Sequence, residues 1–174
     1  MKPAIFLISG TPGAGKSSVA HAIATQSGRG VRISVDDIRD LVVAGRADPV
    51  PSWSDECELQ FAIARRNSLI MAANWQAAGF TVCIDDVVFP QNIDAMITEL
   101  GLNIQRVILQ PTLTTALHRN ATRTHKPFDT SVLIPVLTRL HGEFATVQHP
   151  RWPHIDTTNQ TIAESAVMVQ SLIY

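Results

Sequence analysis

The octapeptide Gly10-Thr11-Pro12-Gly13-Ala14-Gly15-Lys16-Ser17 brings together the residue types that can wrap a polyphosphate. Its glycines let successive backbone N–H groups turn inward around phosphate oxygens, and a helix starting at the end of the loop directs its partial positive charge at the same anion. In that arrangement Lys16 bridges the β- and γ-phosphates, Ser17 ligates Mg²⁺, and Ser18 belongs to the same binding stretch. Average residue frequencies put a chance occurrence at roughly one per cent or less in a chain of this length. The octapeptide also stands between an apolar run and a helical pattern, where the phosphate-loop chemistry needs it. Mg²⁺ and ATP are therefore the cofactors these residues point to.

Two acidic pairs follow apolar runs: Asp36-Asp37, with Arg39 just beyond, and Asp85-Asp86 after Thr81-Val82-Cys83-Ile84. In an open parallel sheet, ligands collect beyond the carboxyl ends of the strands, so both pairs are expected to share a crevice with the glycine loop. Strand side chains alternate, so one member of each pair faces the crevice and the other is structural. Asp85 is assigned to the metal, as the carboxylate closing a Walker-B-like run. Asp36 is assigned to the acceptor hydroxyl, where accepting its proton would contribute about 10²–10⁴ in rate. The other reading of Asp36-Asp37 is helix capping, a common use of Asp after a strand. Further on, Arg119 and Arg123 lie four apart, on one helical face. Two guanidinium groups converging from a closing segment would neutralise charge on a transferring phosphoryl group and exclude water. A solvated basic face is the alternative. The six histidines form no i, i+4 pair with a carboxylate and suggest no metal. Trp53, Trp75 and Trp152 read as packing groups.

These residues need a scaffold that presents strand ends side by side. Short apolar runs at Ala4–Ser9, Val31–Val35, Thr81–Asp85, Ile104–Leu109 and Pro153–Asp156 alternate with longer helical patterns, the mark of βαβ units around a parallel sheet. The spacing predicts a helix from Lys16 to about Gln26, with Gly28 and Gly30 free to be left-handed at its exit. A second helix is expected to start at Asp36 or Asp37. A long third runs from Ser54 to just before Gly79, with Leu59, Ile63, Ile70 and Ala73 as its apolar stripe. Gly45–Trp53, containing Pro49 and Pro51, is expected to be a loop bordering the acceptor site. Thr161-Ile162-Ala163-Glu164 fits a capping box for a last helix.

Of the chain's 174 residues, 45% are apolar, enough for one core and too few for two ordinary domains. A single domain spanning 1–174 is expected. Fourteen basic residues against fifteen acidic ones provide no overall positive field for a nucleic-acid backbone. Cys57 and Cys83 read as buried reduced thiols. No apolar run approaches the eighteen or so residues needed to cross a bilayer, so the chain reads as soluble and cytoplasmic.

Together these motifs resemble the small P-loop kinases that include phage polynucleotide kinase, chloramphenicol phosphotransferase and the zeta-toxin-like kinases. Asp36-Asp37-Ile38-Arg39 is similar to the Asp-Asp-x-Arg element of the polynucleotide kinase, which implies Asp36 as general base and Arg39 as an acceptor contact. His118-Arg119-Asn120-Ala121-Thr122-Arg123 resembles the lid of that kinase, which implies that both arginines approach the ATP phosphates. Lys126-Pro127, with a helix from about Thr130, continues the similarity. The resemblance implies a three-layer α/β P-loop NTPase fold: a five-stranded parallel sheet of order 2-3-1-4-5, helices on both faces, and a small helical lid over about 118–130. It also implies a base site near the lid and the loop after strand five, and transfer of the ATP γ-phosphate to a hydroxyl. The near-neutral charge favours a small-molecule acceptor over a 5′-hydroxyl polynucleotide, and Arg39 would suit an acceptor carrying phosphate or carboxylate. A nucleotide-dependent switch without transfer chemistry is the reading of another class, for which an Asn-Lys-x-Asp guanine reader is absent. The sequence leaves the oligomeric state open.

Overall fold

Three strands buried along almost their whole length form the centre of the molecule. The computed structural model describes residues 3–50, 52–122 and 134–172. In it, β1 (Ile5–Gly10), β2 (Gly30–Ser34), β3 (Thr81–Asp85), β4 (Ile104–Leu109) and β5 (His154–Ile155) form one sheet. Every pairing is parallel and the order is β2-β3-β1-β4-β5, as expected. Alternation along β1 divides the core into two: Ile5 and Leu7 enter one apolar cluster, Phe6 and Ile8 the other. The first cluster is covered by α3 (Asp55–Ala77), α4 (Asp94–Glu99) and α6 (Ile134–Ala145), through residues such as Phe61, Ile97 and Phe144. The second is covered by α1 (Lys16–Gln26) and α7 (Ile162–Gln170), through Val19, Ile23, Ala166 and Val169. The result is three layers, helices on both faces of a parallel sheet.

The expected ranges of β3, β4 and α1 coincide with the observed ones, and the other strands shift by a residue or so at their ends. Several local details differ. The second helix, α2 (Val35–Arg39), is capped by Ser34, whose Oγ accepts from the Asp37 N–H at 3.3 Å. Neither aspartate is the cap; both lie in the first turn, where their charge suits the helix dipole. Gly28 is left-handed (φ 66°) but Gly30 is not. Gly30 is needed for proximity, since a Cβ there would sit 1.8 Å from the Ala24 carbonyl oxygen.

The long helix begins at its expected cap, Ser54, but buries another face. Leu59 and Ile63 are each 52% exposed and Ile70 is 42% exposed, whereas Cys57, Phe61, Ala64, Arg65, Ser68, Leu69 and Ala72 are buried. Small residues at 64, 68 and 72 let the helix axis approach the sheet, and Arg65 on that face has a buried partner in Asp86. Size and apolarity alone gave the wrong stripe. The described residues of the expected loop, 45–50 and 52–53, are irregular, and the Gln60 side chain ties down its first part: its Oε1 accepts from the Ala47 N–H (3.1 Å) and its Nε2 donates to the Gly45 carbonyl (2.8 Å). Of the three tryptophans, only Trp152 is fully buried; Trp53 stacks on Phe61 and Trp75 meets Phe80 edge-on, and both remain exposed. The capping box of α7 forms as read, with Thr161 and Glu164 exchanging hydrogen bonds. Among the described residues no helix is long and apolar enough to cross a membrane.

Candidate active site

Residues 10–15 connect the end of β1 to α1 as a tight loop, closed by the Ala14 N–H donating to the Thr11 carbonyl at 3.1 Å. Gly10, Gly13 and Gly15 all have positive φ. At Gly13 the reason is also steric, because a Cβ would lie 2.2 Å from the carbonyl oxygen of Ala116 in α5 (Leu113–Ala121). The side chain is absent so that another backbone can press against the loop. Thr11 Oγ1 is buried without a hydrogen-bond partner among the described residues. Lys16 is 8% exposed, and its Nζ donates to the Thr11 carbonyl at 2.9 Å, which folds the ammonium back over the loop.

Strand alternation separates the second acidic pair. Asp85 projects to the α1 side, where Ser17 Oγ donates to its Oδ2 at 2.8 Å. Asp86 projects to the α3 side, where Arg65 Nε donates to its Oδ2 at 2.8 Å and both side chains are almost wholly buried. Burial pushes the Asp86 carboxyl up, and the Arg65 charge beside it opposes that rise. Ser9 fixes the chain beyond this pair: its Oγ donates to the Val88 carbonyl (2.6 Å) and accepts from the Val88 N–H (3.1 Å). The strand end carrying Asp85 is thus tied to the strand end carrying the glycine loop.

Sequence reasoning did not single out Arg32. From β2 its guanidinium grips Asp85 in a fork, Nε to Oδ1 at 2.7 Å and Nη2 to Oδ2 at 3.1 Å. Partial burial desolvates this guanidinium, but the Asp85 hydrogen bonds and charge, with Asp37 and Asp36 further off, outweigh that and hold its proton more tightly than usual. The available signal was a single arginine inside the β-branched run Val31-Arg32-Ile33.

Asp36 is exposed on α2, near enough that its charge bears on both Arg32 and Asp86. Asp37 is also exposed. Arg39 is differently placed: 3% exposed, it lies 3.8 Å over the Phe61 ring and donates from Nη2 to the Ala47 carbonyl at 2.6 Å. It braces the loop over 45–47 and does not present its guanidinium to solvent in the crevice. Arg119, on α5, donates from Nη2 to the Thr157 carbonyl at 2.8 Å, and Thr157 Oγ1 donates to the Ala14 carbonyl at 3.3 Å. The loop after β5 thereby carries Arg119 to the edge of the glycine loop. Thr157 was not read from the sequence, since a threonine beyond a two-residue strand has no distinguishing neighbours. Arg123, His125, Lys126 and Pro127, with most of the expected lid, lie outside the described residues.

The donor set suits a hard cation. A serine hydroxyl and a carboxylate supply oxygen ligands of the kind Mg²⁺ takes from a protein while phosphate and water complete its shell. Among the described residues no group of three His, Cys, Asp or Glu could hold a metal unaided.

A family described as AAA domain matches residues 5–144. Among solved structures, the chain is similar to the APS kinase of Mycobacterium tuberculosis in complex with AMPPNP and APS (TM-score 0.68, 16% identity, covering 99% of this chain and 98% of that one). It is likewise similar to the thymidylate kinase of Candida albicans (0.67, 13%, 99% and 91%) and to a gluconokinase of Sinorhizobium meliloti 1021 (0.64, 19%, 98% and 91%). At these identities the shared property is the fold, the three-layer P-loop NTPase fold. No curated protein matches the sequence.

Proposed function

The chain belongs to the AAA domain family, and from that premise we propose that it is a Mg²⁺-dependent kinase moving the γ-phosphate of ATP onto a hydroxyl of a small-molecule acceptor. The observation that carries the reading is the 2.8 Å contact between Ser17 of the glycine loop and Asp85 at the end of β3. A phosphate loop joined in space to a strand-end carboxylate is the arrangement that phosphoryl transfer uses to hold a metal against a triphosphate. ATP would supply the phosphoryl group, with Mg²⁺ neutralising part of its charge.

The protein's own residues then have the following roles. Backbone N–H groups of residues 10–17, extended by Ser18, bind the phosphates. Lys16 leaves the Thr11 carbonyl for the β- and γ-oxygens. Ser17 and Asp85 hold the metal, directly or through water. Asp36 orients the acceptor hydroxyl and accepts its proton. Arg119, linked through Thr157 to Ala14, is assigned to neutralise charge on the transferring group, and Arg123 is assigned to the same lid, taken as about 118–130. We read residues 1–174 as one domain. Arg39 acts on the acceptor side by shaping the 45–47 loop.

Two observations support a small acceptor: the near-neutral net charge, and structural neighbours named for gluconate, thymidylate and APS. The test is incubation with γ-labelled ATP and Mg²⁺ against sugars, nucleosides, aminoglycoside- and phenicol-type alcohols, and 5′-hydroxyl oligonucleotides. Label is expected in one small-molecule class. Transfer confined to oligonucleotides, with steep salt dependence, would reassign the acceptor; tight nucleotide binding with no transfer to any class would favour a switch.

A further inference from the structure

Asp85 is not waiting empty-handed for a metal: both of its oxygens already face a cation of the protein's own. Arg32 Nε takes Oδ1 at 2.7 Å, and Arg32 Nη2 shares Oδ2 with the Ser17 hydroxyl. A divalent ion brought to Ser17 and Asp85 would meet a positive charge at hydrogen-bond distance from its carboxylate ligand, and like charges so placed weaken each other's binding.

The guanidinium also has another place to go. Its side chain is 30% exposed, so it can swing without opening the core, and Asp36 and Asp37, in the first turn of α2, already act on it through their charges. Arg32 thus sits among three carboxylates, in contact with one of them.

We propose that Arg32 is a positioning residue that acts through Asp85 as an electrostatic gate, keeping the metal position closed to free Mg²⁺ and opening it when nucleotide phosphates arrive with the ion. The proposal rests on the metal role given to Ser17 and Asp85 above. Without nucleotide, the Arg32–Asp85 fork holds the carboxylate on Ser17 and competes with a bare cation. With nucleotide, the triphosphate adds negative charge at the glycine loop, the balance tips toward the divalent ion, and Arg32 moves toward Asp37 in the first turn of α2, leaving Asp36 to the acceptor. Metal and nucleotide would then bind cooperatively, and little metal would occupy the site before a phosphoryl donor is present.

The test uses Mn²⁺ as a spectroscopic probe, with free ion followed by electron paramagnetic resonance in the whole protein with and without AMPPNP. Arg32→Gln is expected to bind Mn²⁺ roughly tenfold more tightly than wild type in the absence of nucleotide, the effect of removing a like charge beside a carboxylate ligand. Arg32→Lys keeps the charge and should retain the weak binding. The added affinity should vanish in Arg32→Gln/Asp85→Asn, and AMPPNP should enhance Mn²⁺ binding less in Arg32→Gln than in wild type. A folded Arg32→Gln protein, judged by circular dichroism, that bound Mn²⁺ no more tightly than wild type would overturn the gate while leaving the kinase reading intact. If the wild-type protein bound neither AMPPNP nor Mn²⁺ with AMPPNP, both would fall.

Discussion

The roles proposed for Lys16 and Asp36 divide binding from turnover, and the surroundings of the two residues make the division measurable. Lys16 is buried over the glycine loop, so Lys16→Ala should weaken ATP binding and reduce transfer by at least about 10². Asp36 is exposed and its side chain caps nothing, so Asp36→Asn should cost at most about 1 kcal/mol of stability and leave ATP affinity unchanged while lowering single-turnover transfer by about 10²–10⁴, roughly 3–5 kcal/mol in the barrier. Calorimetric ATP titration beside rapid-quench kinetics checks both; normal transfer by Asp36→Asn would remove it as the base. At this scale much was legible. The octapeptide named Lys16 and Ser17 by spacing, and alternation required Asp85 and Asp86 to part company. What spacing could not supply was the partner of each side chain. Arg39 reads like a crevice arginine until Phe61 and the Ala47 carbonyl claim it, and Arg32 is one charge among fourteen until its fork on Asp85 is seen.

Elements carry their own consequences, beginning with α3. Its buried face holds Arg65 against Asp86, and removing the arginine would strand a carboxylate whose proton affinity burial already raises. Arg65→Met is expected to destabilise the fold by about 3–5 kcal/mol in urea unfolding, and a double variant that also replaces Asp86 with an apolar residue should recover most of that loss. The same pair explains the misread stripe: hydrophobic periodicity scores side chains singly, while the sheet selected the face with small residues and a charge to match its own. For α7 the sequence was sufficient, because a capping box is a local exchange of hydrogen bonds. Thr161→Ala should cost about 1 kcal/mol. Hydrogen bonds from the Thr161 backbone and then its hydroxyl hold the Glu164 carboxyl below its usual range. Glu164 therefore stabilises above its unfolded pKa of about 4.3 and loses that contribution as pH falls through the lower folded value. The stability difference between wild type and Glu164→Gln should shrink in that acid window, measured by unfolding at successive pH values.

For the whole molecule, the placement of β3 between β1 and β2 has a chemical signature. Cys83 lies in the core on the α1 side of the sheet, where burial, and then the Asp85 charge, push its thiol up to about 12. Cys57 is buried in the first turn of α3 and its thiol is likewise raised, chiefly by burial. At pH 8 neither thiol should react with a disulfide reagent in the native protein, and both should react in urea. Because Cys83 is inside the sheet, its labelling rate in low denaturant should follow global unfolding. Rapid native labelling of Cys83 would mean that the sheet opens locally.

The sequence alone determined what depends on neighbours along the chain: five strand runs, the start of α1 and α3, the α7 cap, and the glycine loop, whose shape rests on the positive φ of Gly10, Gly13 and Gly15. The tertiary structure alone decided what depends on residues far apart. These are the buried face of α3, the inward turn of Arg39, the Thr157 link from Arg119 to the glycine loop, and the Arg32 fork on Asp85. Local conformation costs are set within a few residues, whereas a charge or a close-packed face is stabilised only by its partner, and that partner is known only once the chain has folded.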